Sequence, residues 1–305
     1  MAPPRDDAGI SRPYRPDAVG DRTDEEDGAM TVADTWTSSH EGGRGGLAGL
    51  GQVLLAEWTK LRTVRSTVWA LLAVAALTVA LSAFVCSALD TDAGAQTDND
   101  SVMPSVAGVY ISQIAVVALS VLAITGENAT GMIRTTFMAT PGRGRVLAAK
   151  AVVLGAVTLV VGVAASVTSF LVGQPILAGN GFVATPLSDP GALRSVLGSG
   201  LYLAVLALFG LGVGAILRRP AGAVSTMLGL LFGPLIVAMF LPVHLQKLAL
   251  DYGPMTAGLA IQMTKPTGII VGTVPVAPWT GFAVFCTYTV VTLLAAFWLI
   301  SHRDA

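Results

Sequence analysis

The sequence predicts an all-α polytopic membrane protein, six transmembrane helices with an N-terminal amphipathic interfacial helix, and three observations predict it. First, the chain is too oily for a soluble domain of its length: 53% of residues are hydrophobic and 12% charged, where charge of about 25% is usual. Second, uncharged runs occupy about 68–89, 101–124, 151–172, 195–217, 221–241 and 279–300. Each is long enough to cross about 30 Å of hydrocarbon at about 1.5 Å per helical residue. Helices satisfy their own backbone polar groups in lipid, and six such runs in succession argue against buried helices of a soluble core.

The third observation is the placement of positive charge, which the inner side of a membrane retains in short loops. With the N-terminus inside, the inner segments carry Lys60, Arg62 and Arg65, then Arg134, Arg143, Arg145 and Lys150, then Arg218 and Arg219, and finally Arg303. The outer loops carry Arg194, Lys247 and Lys265, and the first of them holds Asp90, Asp92, Asp98 and Asp100 without a cation. Both termini are therefore expected in the cytoplasm. Trp69 and Trp298 then fall at the inner interface and Trp279 at the outer one, as amphipathic rings at headgroup level should.

Residues 1–46 are rich in Asp, Glu, Pro, Gly and Arg with few large apolar side chains, and are expected to be a disordered cytoplasmic tail. No apolar core of a cleavable signal precedes Leu47, and Met30 stands beside Met1 as a candidate start. From residue 47 to 65 the pattern changes. Leu47, Leu50, Leu54, Trp58 and Leu61 recur at three- and four-residue steps, while Gln52, Thr59, Lys60 and Arg62 lie on or flank the opposite face. This is the expected interfacial helix, its Trp58 at headgroup depth and its basic residues toward anionic lipid. A solvated lead-in to the first span is the plainer alternative. Glu57 lies close to the apolar face, where Lys60 or a residue of a partner subunit would have to meet it.

Residues 66–305 form the expected six-span domain. Within it the search for chemistry is largely negative. His40, His244 and His302 lie in separate segments, so no histidine cluster has metal-ligand or acid–base spacing. No carboxylate sits in the middle of a span, which counts against a membrane-embedded hydrolase and against an ion-coupled carrier. Cys86 and Cys286 belong at different depths and read as free thiols. Asn99-Asp100-Ser101 and Asn128-Ala129-Thr130 match the glycosylation sequon, a weak pattern in a sequence whose Arg-over-Lys and Ala, Val and Gly bias reads as bacterial. No phosphate-binding loop GxxxxGK[ST] occurs, so any ATP that drives this chain is bound by another.

Polar groups within the spans are Gln113, Tyr202 and Tyr288, which line a substrate pathway on one reading and make interhelical hydrogen bonds on the other. Gly210, Gly212 and Gly214 in span four, and Gly229 with Gly233 in span five, make small surfaces for close helix packing, within the chain or across a dimer. Gly233-Pro234 is expected to kink span five. Residues 132–150, "MIRTTFMATPGRGRVLAAK", form a cationic loop broken by Pro141 and Gly142. Ile133 and Phe137 are four residues apart with Met132 and Thr136 beside them, so a short helix would hold an apolar knob below the membrane. Either that knob docks into a partner, or Arg134, Arg143, Arg145 and Lys150 only fix the topology.

Four separated segments resemble one family, the permease subunits of type-2 ATP-binding-cassette (ABC) exporters, particularly actinobacterial ones. "AEWTKLRTVRSTVW" is similar to that family's amphipathic entry into the first span, and Glu127 followed by "GMIRTTFMATPGRGRVLAAK" to its loop between spans two and three. "YGPMTAG" and the terminal "PWTGFAVF…ISHRDA" are similar as well, so that the resemblance covers about residues 47–305. It implies a six-span half-transporter in a bacterial inner membrane, forming a homodimer or a heterodimer with a second permease. It also implies a separate ABC ATPase subunit that holds the ATP and Mg; this chain binds no cofactor, no metal and no nucleic acid.

On this resemblance residues 125–150 form the coupling loop. Glu127 matches the acidic residue at the inner end of span two, Arg143 or Arg145 the basic residue after the loop proline, and Lys150 the lysine opening span three. Gly142 and Gly144 around Arg143 depart from a regular helix start. The external segment 242–278, with His244, Lys247, Asp251 and Lys265, resembles the family's partly re-entrant outer gate. The expectation is a transport subunit that exports a hydrophobic or amphipathic cargo. A non-ABC carrier or channel is the first alternative and a membrane-embedded enzyme the second.

Overall fold

Apolar runs bounded by Pro, Gly and charge fold as helices throughout the computed structural model, which describes residues 47–89, 100–129, 143–264 and 276–302. Helix α1 spans Leu47–Thr63, and Val64, with extended backbone, separates it from α2, Arg65–Ala88. A single turn, α3 (Val102–Ser105), precedes α4 (Val109–Ala129); α5 runs Arg143–Gly179, α6 Pro190–Leu217 and α7 Pro220–Ala238. Outside the spans come α8 (Val243–Tyr252), α9 (Pro254–Leu259) and a 3-10 turn (Ala260–Gln262), and α10 closes the chain at Pro278–His302. Among the described residues six helices are long and apolar enough to cross a membrane, so this is a multi-pass, all-α membrane protein. Ala48–Ala305 form one compact unit.

The boundaries have local causes. Asp189 caps α6, its carboxylate accepting the N–H groups of Gly191 (2.8 Å) and Ala192 (3.0 Å), with Pro190 at the first helical position where its missing N–H costs nothing. Arg218 ends α6 in the left-handed region at φ 57°, and its N–H bonds back to the Gly214 carbonyl. Pro220 then opens α7. Helix α5, at 37 residues, is far longer than its apolar run: it begins in the cationic segment and continues through Pro175.

Helix α6 is the axis of the bundle. Of its most apolar 18-residue stretch 72% is buried, against 17–22% for α2, α7 and α10. It packs on α5, α4, α10 and α7. Its glycines are used inside the chain: a methyl on Gly200 would stand 2.6 Å from the Val163 backbone nitrogen of α5, and Gly214 and Gly212 press likewise on α4 and α10. Tyr202 and Phe209 of α6 pack against Phe285 of α10, the first ring tilted and the second edge-on, with centroids 5.3 and 5.8 Å away.

A polar seam fixes the turn before α4. Ser82 Oγ accepts the Gly108 N–H (2.7 Å), Ser169 Oγ donates to the Ser105 carbonyl (2.8 Å), and Gln174 Nε2 donates to the Ser101 carbonyl (3.0 Å). Gly108 sits against the Thr78 carbonyl, where any larger residue would collide. These bonds satisfy backbone groups exposed by the break between α3 and α4, which lipid would leave unpaired.

Candidate functional site

At the end of the bundle where α1 meets α5, two titratable groups far apart in sequence come together. Lys150 Nζ donates to Glu57 Oε2 at 2.7 Å, with both residues only 5% exposed. Glu57 is buried although its neighbours Ala56 and Trp58 are exposed, and Lys150 stands two turns into α5. The candidate partners offered by local spacing, Lys60 or another subunit, give way to a residue ninety-three positions on. A cavity of about 380 Å³ surrounds the pair, lined by Glu57, Lys60, Leu61 and Lys150, by Ser66 to Ala70 at the start of α2 and by Ala118 to Gly126 of α4.

The remainder of the predicted coupling set divides between described and undescribed residues. Met132, Ile133, Arg134 and Phe137 lie outside the described residues, as do the side chains of Glu127 and Arg143. The backbone of Glu127 belongs to the last turn of α4, and Arg143 is the first residue of α5. Arg145 is exposed. Gly144 has a structural reason: a methyl there would lie 2.2 Å from Cε2 of Phe297, so the start of α5 is seated against the end of α10. The start of α5 is thus held from two sides, by the ion pair to α1 and by the ring of α10.

On α1, Trp58 and Arg62 are exposed and Lys60 is half-buried. Trp58 and Arg62 stand at one end of a second, larger groove of about 650 Å³ between α1, α2 and α5.

The span residues Gln113 and Tyr202 meet in the packed interior. Tyr202 Oη donates to Gln113 Oε1 at 2.5 Å, while Gln113 Nε2 donates to the Tyr110 carbonyl at 2.9 Å and approaches Met255 Sδ at 3.6 Å. Both are fully buried, and in this chain they are each other's interhelical partners. Tyr288 is on the surface of α10, its hydroxyl donating to the Tyr252 carbonyl at 3.1 Å.

The segment after α7 is buried in part. Helix α8 is largely exposed, whereas all of Pro254–Gln262 is buried against α6 and α10. Gln262 Nε2 donates to Ser199 Oγ (2.8 Å), and Arg194 Nη2 donates to the Met263 carbonyl (2.6 Å), tying this segment to α6. Among the described residues no group of three or more His, Cys, Asp or Glu side chains converges to hold a metal ion. Cys86 and Cys286 are free thiols.

Sequence reasoning missed the Glu57–Lys150 pair and the polar seam. The signal for the first was present, since a carboxylate near the apolar face of an interfacial helix requires a cation at the same depth, and Lys150 opens a span. The fold and the site define a six-span polytopic membrane protein with an N-terminal helix ion-paired to its third span. The chain matches no family model, and no curated protein is significantly similar to it.

Proposed function

We propose that this chain is the membrane permease subunit of a type-2 ABC exporter in a bacterial inner membrane, both termini cytoplasmic, coupling ATP hydrolysis on a separate nucleotide-binding subunit to export. The observation that carries the reading is the buried Glu57–Lys150 ion pair. It joins the helix before span one to the helix that leaves the 130–142 connection. A displacement imposed on that connection by an ATPase would therefore move α5 and α1 together, and through α5 the heavily packed α6.

Three further features support it. The resemblance of four separated segments to that family runs the length of residues 47–305. The full sequence has no phosphate-binding loop, so the nucleotide and its Mg belong to the partner. In span five, Gly229 and Gly233 have none of the described residues within 4 Å of an added methyl, which leaves a smooth surface for a second permease, the same chain or a homologous one. The almost wholly uncharged interior favours a hydrophobic or amphipathic cargo.

The test is co-purification. An ATPase encoded beside this gene is expected to be retained by the tagged chain in mild detergent and to hydrolyse ATP in the complex. A chain that retains no ATPase under conditions where it stays folded would return the reading to a carrier or channel.

A further inference from the structure

The groove between α1, α2 and α5 has a chemistry that the transport reading does not use. Its walls are alkyl: Leu72 and Ala76 of α2 face Val160 and Ala164 of α5. The one hydroxyl along it, that of Thr168, is occupied by the Ala164 carbonyl at 2.8 Å. At one end stand Trp58 and Arg62, both on α1, and no carboxylate among the described residues lines it. Glu57 faces the other cavity with Lys150.

Length and position narrow the occupant. From Val68 to Val79 of α2 the groove follows eleven helical steps, about 17 Å at about 1.5 Å each, beginning at the headgroup end. Half of a hydrocarbon core of about 30 Å is about 15 Å, the depth of one leaflet. Among the described residues no span packs broadly against α1, so those residues leave the space between that helix and the bundle open. At this depth water is excluded, and a volume of about 650 Å³ with such walls takes hydrocarbon. Arg at headgroup level, with its planar fork of donors, takes a phosphate.

We propose that this groove is a binding site for one anionic phospholipid of the leaflet in which α1 lies, an acyl chain running along α2 and α5 and the phosphate held at Arg62 beside Trp58. The lipid completes the packing of α1 on the bundle, and it holds α1 at the depth where Glu57 meets Lys150. The site is independent of the transport reading and of which side of the membrane α1 occupies.

The experiment uses the full chain alone in nanodiscs of phosphatidylcholine with a trace of phosphatidylglycerol carrying a mid-chain photoreactive group. Irradiation followed by peptide mapping is expected to place adducts between residues 68–79 and 157–168. Unlabelled phosphatidylglycerol should compete saturably, and phosphatidylcholine should not. Arg62→Glu should lower the adduct yield at least fivefold, and Ala76→Trp with Ala164→Trp should abolish it. The competition on the unaltered chain decides the matter even where a variant fails to fold. Adducts no more frequent in the groove than at Val290 and Leu294 on the exposed face of α10, and indifferent to headgroup, would mean bulk bilayer only and would overturn the site. Disulfides forming between copies through a cysteine at position 76 or 164 would make the groove an interface between chains and would overturn a resident lipid. Because the chain is tested without an ATPase, failure here and failure of the transport reading are separate results.

Discussion

Lys150 Nζ lies 2.7 Å from Glu57 Oε2 with both side chains buried, so the helix before the first span is fastened by charge to the third. Removing Lys150 takes from the buried Glu57 carboxylate the cation that meets it, at a cost of about 3 kcal/mol or more. Glu57→Ala and Lys150→Ala are each expected to lower the thermal midpoint of the detergent-purified chain, and Glu57→Leu with Lys150→Met to recover most of the loss. A double-mutant cycle should return a coupling above about 1 kcal/mol. Additive single effects would mean that the pair does not hold α1.

The architecture was legible in the sequence because a membrane span is a matter of composition and length, and Arg65–Ala88 or Pro278–His302 need nothing else to be found. What escaped was whatever depends on a distant partner. Glu57 looked toward Lys60 because helical spacing reaches one turn, whereas its partner is brought in by the packing of a different span. The break between α3 and α4 escaped because Ser101, Ser105 and Gly108 lie in an otherwise uninterrupted apolar run; only Ser82, Ser169 and Gln174 on other helices make the break affordable in lipid. Helix α5 outran its apolar stretch because hydropathy marks the lipid-crossing part of a helix and not its ends. The 132–150 segment stood out by charge, and its Lys150 proved central to the described site, while Met132 to Phe137 lie outside the described residues.

Tyr202 and Gln113 form a closed interhelical bond of 2.5 Å, and Tyr202→Phe removes the donor while keeping the ring against Phe285. The expected loss is about 1 kcal/mol, typical of such bonds within membranes. It is read from denaturation in mixed micelles, with Gln113→Leu as the second arm of a cycle. A change in cargo preference without a change in stability would instead place the pair on a substrate pathway.

Gly229 and Gly233 face open space while Gly200 touches the Val163 backbone, which separates association from folding. Gly229→Leu with Gly233→Leu should leave the fold intact and reduce the dimer fraction measured by native mass spectrometry. Gly200→Leu should destabilise the chain itself by about 2 kcal/mol or more through overpacking. A dimer fraction unchanged by the span-five pair would move the interface elsewhere.

Orientation is checked by single cysteines in a background where Cys86 and Cys286 are serine. Positions Thr97 and Lys247, the latter exposed on α8, are expected to react with an impermeant thiol reagent in intact cells, and position Arg143 to react only after permeabilisation. Met255, although in the same external segment, is buried and is expected to react slowly. Labelling at 143 from outside would invert the topology.

The measurement that tests the central claim most directly is ATP hydrolysis by the partner ATPase assembled with this chain in proteoliposomes, wild type against Phe137→Ala. A buried aromatic anchor is worth about 2 kcal/mol or more, so truncation should weaken docking more than tenfold and lower chain-dependent hydrolysis accordingly. The variant chain should still insert and keep its thermal midpoint. Hydrolysis that is unchanged by Phe137→Ala beside a confirmed partner, or hydrolysis by the isolated chain, would contradict the account.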